Sequence, residues 1–289
     1  MITGYDGKVA HVAYFTGTDG PHRKTSMQLM DHLGEIHGYA KMTQVDFIRP
    51  FLANEAQALT AVAELELTSC ETPRIVEYRD TSESTVLATD SLRKQGMGSP
   101  YELGSAHRRF LQELSHRTRA QSPRDLMASL HRAADNCHDD LRWAARLKSA
   151  LVLLQPRLRT LQFCRAHGDF TPWNTFLLPE GRIYVFDWEY SNASWPVGYD
   201  CLHFLLSVEP RMPSPDHLSA AVRVVAEDYF GGNIVAARES ALLSLLCHAG
   251  LYIRRAADAG HSATDWDEHG RRAAMIDQLL EQVRAHPNG

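Results

Sequence analysis

Two short stretches constrain this chain more than anything else in it, because together they demand a loop followed by a hairpin. The first is Arg165-Ala166-His167-Gly168-Asp169-Phe170-Thr171-Pro172-Trp173-Asn174, an apolar lead-in followed by H-G-D-x-x-x-x-N. The second, Ile183-Tyr184-Val185-Phe186-Asp187-Trp188-Glu189, is an apolar run that ends on a carboxylate. Between them Thr175-Phe176-Leu177-Leu178 has strand composition and Pro179-Glu180-Gly181 reads as a tight turn. The implied path is a loop carrying Asp169 and Asn174, then a hairpin whose second strand returns Asp187 to the same place.

Such a set suits phosphoryl transfer from a nucleotide. One carboxylate must accept or orient the proton of an attacking hydroxyl, and Asp169 suits that role. An amide oxygen and a second carboxylate must hold Mg²⁺ against the triphosphate, and Asn174 and Asp187 suit those. Asparagine is apt because its carbonyl meets a hard cation without adding charge beside the phosphates.

H-G-D-F-T-P-W-N followed by F-D-W-E resembles the catalytic and metal-binding loops of the aminoglycoside phosphotransferase and choline kinase superfamily. In the related protein kinases these loops read H-R-D-x-x-x-x-N and D-F-G. Gly168 and Trp188-Glu189 fall on the small-molecule side of that divide. The resemblance implies an α+β, bilobal protein-kinase-like fold: an antiparallel-sheet N-lobe with one helix and a mainly helical C-lobe, with the active site between the lobes. It implies ATP or GTP as co-substrate, Mg²⁺ as cofactor, and a small hydroxylated acceptor such as an aminoglycoside, amino alcohol, sugar or related metabolite.

The N-terminal third is read against that expectation. Residues 9–15 and 25–30 have strand character, and residues 16–24 form a turn-rich, basic connector. The resemblance implies a phosphate-facing role for Gly17, Thr18 and Gly20, although T-D-G-P is also good chemistry for an ordinary turn. Residues 38–43 alternate and contain Lys41. Pro50 then opens a helical pattern over residues 51–67, with Glu55 in its first turns. By resemblance Lys41 steadies the α- and β-phosphates and Glu55 fixes Lys41. The alternative is a solvated edge lysine and an acid favoured by the helix dipole, with Lys24 as a rival for the lysine role. Residues 75–79 and 85–89 read as two more strands, and the resemblance turns backbone near residues 87–89 toward the adenine.

The expected division is an N-lobe at residues 1–90, a connector at 91–100, and a helical C-lobe at 101–289 that carries both loops. In the C-lobe, helices are expected at residues 103–115, 123–134, 141–154, 218–230, 238–257 and 269–285. Asp200, before the apolar run 201–206, is expected to cap a helix and, by resemblance, to brace the catalytic loop. His167 is expected to pack and hydrogen-bond backbone. Trp266, among Asp265, Asp267 and Glu268, reads as a solvated helix entry.

Composition excludes several classes. A net charge of -5 argues against a protein that works by neutralising nucleic-acid phosphates. No apolar run approaches membrane-spanning length, and the N-terminus lacks a secretory core. The 5 cysteines are scattered and without C-x-x-C pairing, which reads as reduced, mostly buried thiols of a cytoplasmic protein. G-x-S-x-G and H-E-x-x-H are absent, and the lone His138-Asp139 is too isolated to support a metal phosphohydrolase. No nucleic-acid or membrane partner is expected, and the sequence leaves the oligomeric state open. The competing reading is a catalytically inactive kinase-fold module that binds nucleotide. Retention of Asp169, Asn174 and Asp187 together counts against it.

Overall fold

The computed structural model describes residues 5, 7–16, 22–93, 98, 100–120, 125–208 and 215–285. The chain packs into two compact units, Met1–Phe110 with His167–Ser191, and Leu111–Ala166 with Asn192–Gly289.

The first unit is built on a five-stranded antiparallel sheet, ordered β1-β2-β3-β6-β5. Its strands are β1 (His11–Phe15), β2 (Thr25–Met30), β3 (Ile36–Thr43), β5 (Ile75–Asp80) and β6 (Thr85–Asp90). Side chains alternate across a strand, so Ala40 and Ala88 pack with Leu29 and Tyr5 on one face while Lys41 stands on the other. Helix α1 (Arg49–Ala63) follows β3, and Pro50 sits in its first turn, where a missing N–H costs nothing. Leu52, Glu55, Ala56, Leu59 and Val62 are buried at helical spacing. One of those positions is therefore an acid, and a buried acid requires a partner. The helix ends earlier than its apolar pattern suggests, because the chain turns into the left-handed region at Glu66 (φ 50°).

The catalytic-loop segment belongs to this same unit. β8 (Thr175–Leu177) pairs antiparallel with β9 (Ile183–Val185), Thr175 opposite Val185 and Leu177 opposite Ile183. Glu180 and Gly181 both have positive φ, 64° and 70°, which matches the turn to the right-handed twist of the two strands. A two-residue strand that the sequence pattern did not suggest, β4 (Cys70–Glu71), lies parallel to β9 on its other side.

The second unit is helical, with α3 (Leu126–Asn136), α4 (Leu141–Leu154), α5 (Tyr199–Ser207), α6 (Pro215–Tyr229), α7 (Ile234–Asp258) and α8 (His269–Arg284). α2 (Ser105–Arg117) joins the two stretches of chain. Asp140 and Asn233 cap α4 and α7 by accepting two backbone N–H groups each, at 3.0–3.1 Å. α7 has the length and mean hydropathy (1.3) of a membrane span, but 67% of that window is buried inside the unit, and it is the helix on which α3, α6 and α8 pack. β7 (Phe163–Ala166) and β10 (Asn192–Pro196) form a two-stranded ribbon. All five cysteines are unbridged and buried.

Two expectations are corrected here. Asp200 does not cap α5: Gly198 takes the cap position at φ 87°, and Asp200 falls in the first turn, buried. Asp265 and Asp267 stay exposed in the entry to α8, as expected, but Trp266 between them is half-buried. It stacks on Tyr252 (5.2 Å between centroids), lies against Trp143 at 5.7 Å, and donates Nε1–H to the Ala263 carbonyl at 3.1 Å.

Candidate active site

Within the first unit a cluster of rings seats the H-G-D loop. His167, Phe170 and Trp188 are fully buried, Phe110 stacks on Phe170 at 5.5 Å, and His167 lies 4.6 Å from Trp188. His167 accepts the Asp169 N–H at Nδ1 (3.2 Å) and donates from Nε2 to the Phe186 carbonyl (3.0 Å). That bond pattern fixes a neutral tautomer and pins the two loops to each other. Gly168 has φ 92°, and a Cβ there would meet the Tyr190 carbonyl oxygen at 2.1 Å, so the turn leading to Asp169 closes only on glycine.

Asp169 and Asn174 are brought together. Asn174 Nδ2 donates to both the backbone oxygen and Oδ2 of Asp169, each at 2.9 Å. With Nδ2 committed, Oδ1 is the atom that can meet a cation. The Phe186 N–H bonds the Asn174 carbonyl at 3.1 Å, which sets Asp187 beside this pair. Asp187 itself has φ 67°, a conformation that aspartate tolerates better than most side chains but that stores strain.

The lysine and the helix acid meet on Asp187. Lys41 Nζ contacts Glu55 Oε1 and Oε2 at 2.7 and 2.6 Å, and Asp187 Oδ1 at 2.6 Å. Glu55 is 3% exposed, so its charge is tolerated because Lys41 answers it. Burial opposes the charge on both Lys41 and Asp187. For Lys41, Asp187 and then Glu55 outweigh it and hold the ammonium above the usual lysine range. For Asp187, Lys41 and then Lys24 outweigh it and hold the carboxyl well below the usual carboxylate range.

Three further residues join the cluster: Lys24, which the sequence offers as a rival for the lysine role, and Glu189 and Asn54, to which it assigns no role. Glu189 pairs with Lys24, which also lies 3.8 Å from Asp187. Asn54, on α1, donates to the backbone oxygens of Glu189 and Ser191 at 2.9 and 2.8 Å. Glu189 had a visible signal, two residues beyond Asp187; Asn54 had none beyond its place next to Glu55. Gly17, Thr18 and Gly20 lie outside the described residues.

Glu55, Asp187 and Glu189 bring carboxylate oxygens within 4.8 Å of one another. At that spacing each like-charged pair repels by roughly 3 kcal/mol for an effective dielectric of about 20. Two lysines against three carboxylates leave one negative charge in excess. These carboxylates are hard oxygen donors, as is Asn174 Oδ1 in the adjoining loop, the kind that Mg²⁺ takes.

The phosphotransferase enzyme family (APH) matches residues 49–221, a span that holds Glu55 and both loops. The chain belongs to this family. It is a phosphotransferase, and its fold is that of the protein-kinase-like α+β proteins. A choline kinase, LicA from Streptococcus pneumoniae, superposes with a TM-score of 0.61 at 13% identity, over 96% of this chain and 95% of that one. The GDP complex of wild-type aminoglycoside 2'-phosphotransferase-IIIa gives 0.57 at 13% identity, covering 96% and 94%. A streptomycin–ATP–APH(2")-IIa ternary complex gives 0.55 at 13% identity, covering 93% of each chain. No curated protein matches this chain in sequence.

Proposed function

We propose that this phosphotransferase moves the γ-phosphoryl group of ATP, or GTP, to a hydroxyl of an aminoglycoside, amino alcohol, sugar or related small metabolite. The observation that carries the reading is the bond of Asn174 to Asp169 within one loop, the bond of its carbonyl to Phe186 N–H next to Asp187, and the bridge that Lys41 makes between Asp187 and Glu55. The relatives that support it are a choline kinase and phosphotransferases whose structures hold ATP, streptomycin or GDP.

In this reading Asp169 Oδ accepts the proton of the acceptor hydroxyl and aims its oxygen at the γ-phosphorus. Asn174 keeps the carboxylate in place through Nδ2. Lys41, held by Glu55, contacts the α- and β-phosphates. Asn174 Oδ1 and Asp187 would hold Mg²⁺, which when bound neutralises charge on the β- and γ-phosphates. Because the transition state is loose, positioning and charge neutralisation supply most of the acceleration. The unbridged cysteines support a cytoplasmic setting.

The test is acceptor-dependent ADP formation across a panel of hydroxylated metabolites and aminoglycosides, with Asp169→Asn as the control. Turnover with at least one acceptor is expected. In the variant kcat falls by on the order of a hundredfold or more, while nucleotide affinity is retained. Wild-type turnover in Asp169→Asn would remove Asp169 from the mechanism. Nucleotide binding with no acceptor-stimulated turnover across the panel would favour the inactive-module reading.

A further inference from the structure

The C-terminal end of α1 borders a groove that the phosphoryl-transfer scheme leaves unused. Its volume is about 620 Å³, and the end of α1, β4 and the start of β5 line it, all within the first unit. Leu59, Val62, Cys70 and Pro73 are buried beneath it. The floor is therefore apolar, and the size is that of a small-molecule site. Glu55, the partner of Lys41, precedes Ala63 by about 12 Å along the helix axis, so the groove is separate from the phosphate end of the site.

The charge of the groove is one-sided. Glu64, at the C-cap of α1, and Glu66 just beyond it are exposed at the rim and enter no ion pair among the described residues. Glu71 also lines the groove and is answered by Arg182. Arg74, ahead of β5, is the single basic residue among the described lining. The last turn of α1 contains no basic residue, so its own side chains leave the negative pole of the helix dipole unanswered. A helix C-terminus, two unpaired carboxylates and an apolar floor fit one kind of ligand, an ammonium ion with an apolar body. An anion would be repelled by Glu64 and Glu66, and a bare metal ion would gain nothing from Leu59, Val62 and Pro73. The walls also lead to the catalytic cluster. α1 carries Glu55 nearer its start, and β4 pairs with β9, Glu71 opposite Tyr184, two residues of chain before Phe186 and Asp187. A body seated here braces the two elements that bring Glu55 and Asp187 to Lys41.

We infer that this groove is a regulatory site for an organic cation, an alkyl- or arylammonium ion, whose occupancy tightens nucleotide binding. The ammonium sits at the end of α1 against Glu64 and Glu66, and the apolar body covers Leu59, Val62 and Pro73. No covalent bond forms or breaks. The binding step stands independently of the phosphotransferase reading, and the coupling to nucleotide rests on it.

Phenylbutylamine, phenylbutanol and phenylbutyrate share one apolar body and differ in charge. Titrating each into the isotope-labelled full chain, followed by its amide resonances, tests the site. The amine is expected to bind in the millimolar range with shifts gathered on residues 59–75, about fivefold tighter than the alcohol and tighter still than the acid. The double variant Glu64→Gln, Glu66→Gln brings the amine to within about twofold of the alcohol. Ala63→Trp, at an exposed lining position, fills the groove and abolishes binding of both, with a folded amide spectrum as its control. Saturating amine tightens Mg·ATP about fivefold, and saturating Mg·ATP tightens the amine by the same factor. No binding of the amine, equal affinity for amine and acid, or undiminished binding to folded Ala63→Trp overturns the site and leaves the phosphotransferase reading intact. Unchanged or weakened Mg·ATP affinity in saturating amine overturns the coupling. Failure of the wild type to bind Mg·ATP at all sinks the nucleotide reading and the coupling with it, while the amine titrations still decide the site.

Discussion

Each of the two units buries a cluster of charged side chains, and the clusters are built on opposite principles. In the first unit Lys24, Lys41, Glu55, Asp187 and Glu189 come from four separate elements and include one more acid than base. In the second unit Glu268 receives Arg272 at Nε (2.8 Å) and Nη2 (2.6 Å) and Arg271 at 3.2 Å, all from one turn of chain at the start of α8. His248 approaches the same carboxylate at 3.8 Å. Arg272 is 2% exposed, more buried than any group of the first cluster, Glu55 at 3% included. Burial of charge therefore does not mark function. Nor does a surplus of one sign, since two arginines face the single Glu268; the first cluster differs in being assembled from remote parts of the chain at a residue of strained backbone.

The sharpest way to break that contrast is to remove one cation from each cluster. Lys41→Met leaves Glu55 buried without its ammonium and three carboxylates facing Lys24 alone. A loss of about 3–5 kcal/mol in unfolding free energy is expected, along with loss of detectable Mg·ATP binding. Arg272→Met leaves Glu268, which is 35% exposed and still held by Arg271. Replacing a buried arginine by an apolar side chain of similar length is then expected to fall within about 1 kcal/mol of wild type, with ATP binding unchanged. Denaturant titration of both variants reads the difference. Equal losses would mean that the two clusters do the same structural work.

Asp187→Asn sharpens the comparison from the other side, because it removes the surplus charge and keeps the shape. Asparagine also tolerates positive φ, so the turn at φ 67° survives. The variant is expected to lose some stability, because the lysines that hold the Asp187 carboxyl below the usual carboxylate range attract it more than Glu55 and Glu189 repel it. Its kcat should fall by on the order of a hundredfold or more in the protein that remains folded. Turnover close to wild type would assign Asp187 to the scaffold.

The parts of this site that were legible in the sequence are those whose chemistry is contiguous. His167-Gly168-Asp169 and Asn174 sit within one loop, Asp187 closes one apolar run, and the hairpin between them needs only Pro179-Glu180-Gly181 to be recognised. β2 and α4 fall where their patterns put them, at Thr25–Met30 and Leu141–Leu154. What escaped has no local period. β4 has two residues and exists because β9 pairs with it. β10 reads Asn-Ala-Ser-Trp-Pro, whose proline and small polar residues lack strand alternation, and β7 supplies its ladder. Asn54 bonds carbonyls 135 and 137 positions away, and Lys24 meets Glu189 across 165 positions. Such pairs become visible only when the sheet register is known. Asp200 was misassigned for a related reason: cap preference favours aspartate, but Gly198 takes the positive-φ position where its own Cβ, if present, would strike Val225 at 2.7 Å.

The smallest expected effect separates the active site from two buried histidines, His107 and His248, whose burial favours the neutral ring. His107 is fully buried against Phe170, and burial pulls its pKa from the ordinary 6.5 to about 4. Between those values the unfolded chain binds a proton that the folded chain does not, so stability is lost as pH falls below 6.5, with a slope that ends near 4. At pH 5.5 the contribution is about 1 kcal/mol. His248 in the second unit is depressed by burial and then by Arg272, in the same direction and with the same sign. Asp187 adds no slope in this window, because its carboxyl is held below 3.8 and stays ionised throughout. Its contribution is lost only as pH falls further, through the folded pKa. Urea midpoints between pH 5 and 8 for wild type, His107→Gln and His248→Gln check this. The acid-side slope should flatten in each single variant and flatten further in the double. Curves for His107→Gln and wild type that stay parallel from pH 8 to 5 would show that the imidazole beside Phe170 takes up its proton without opening the fold.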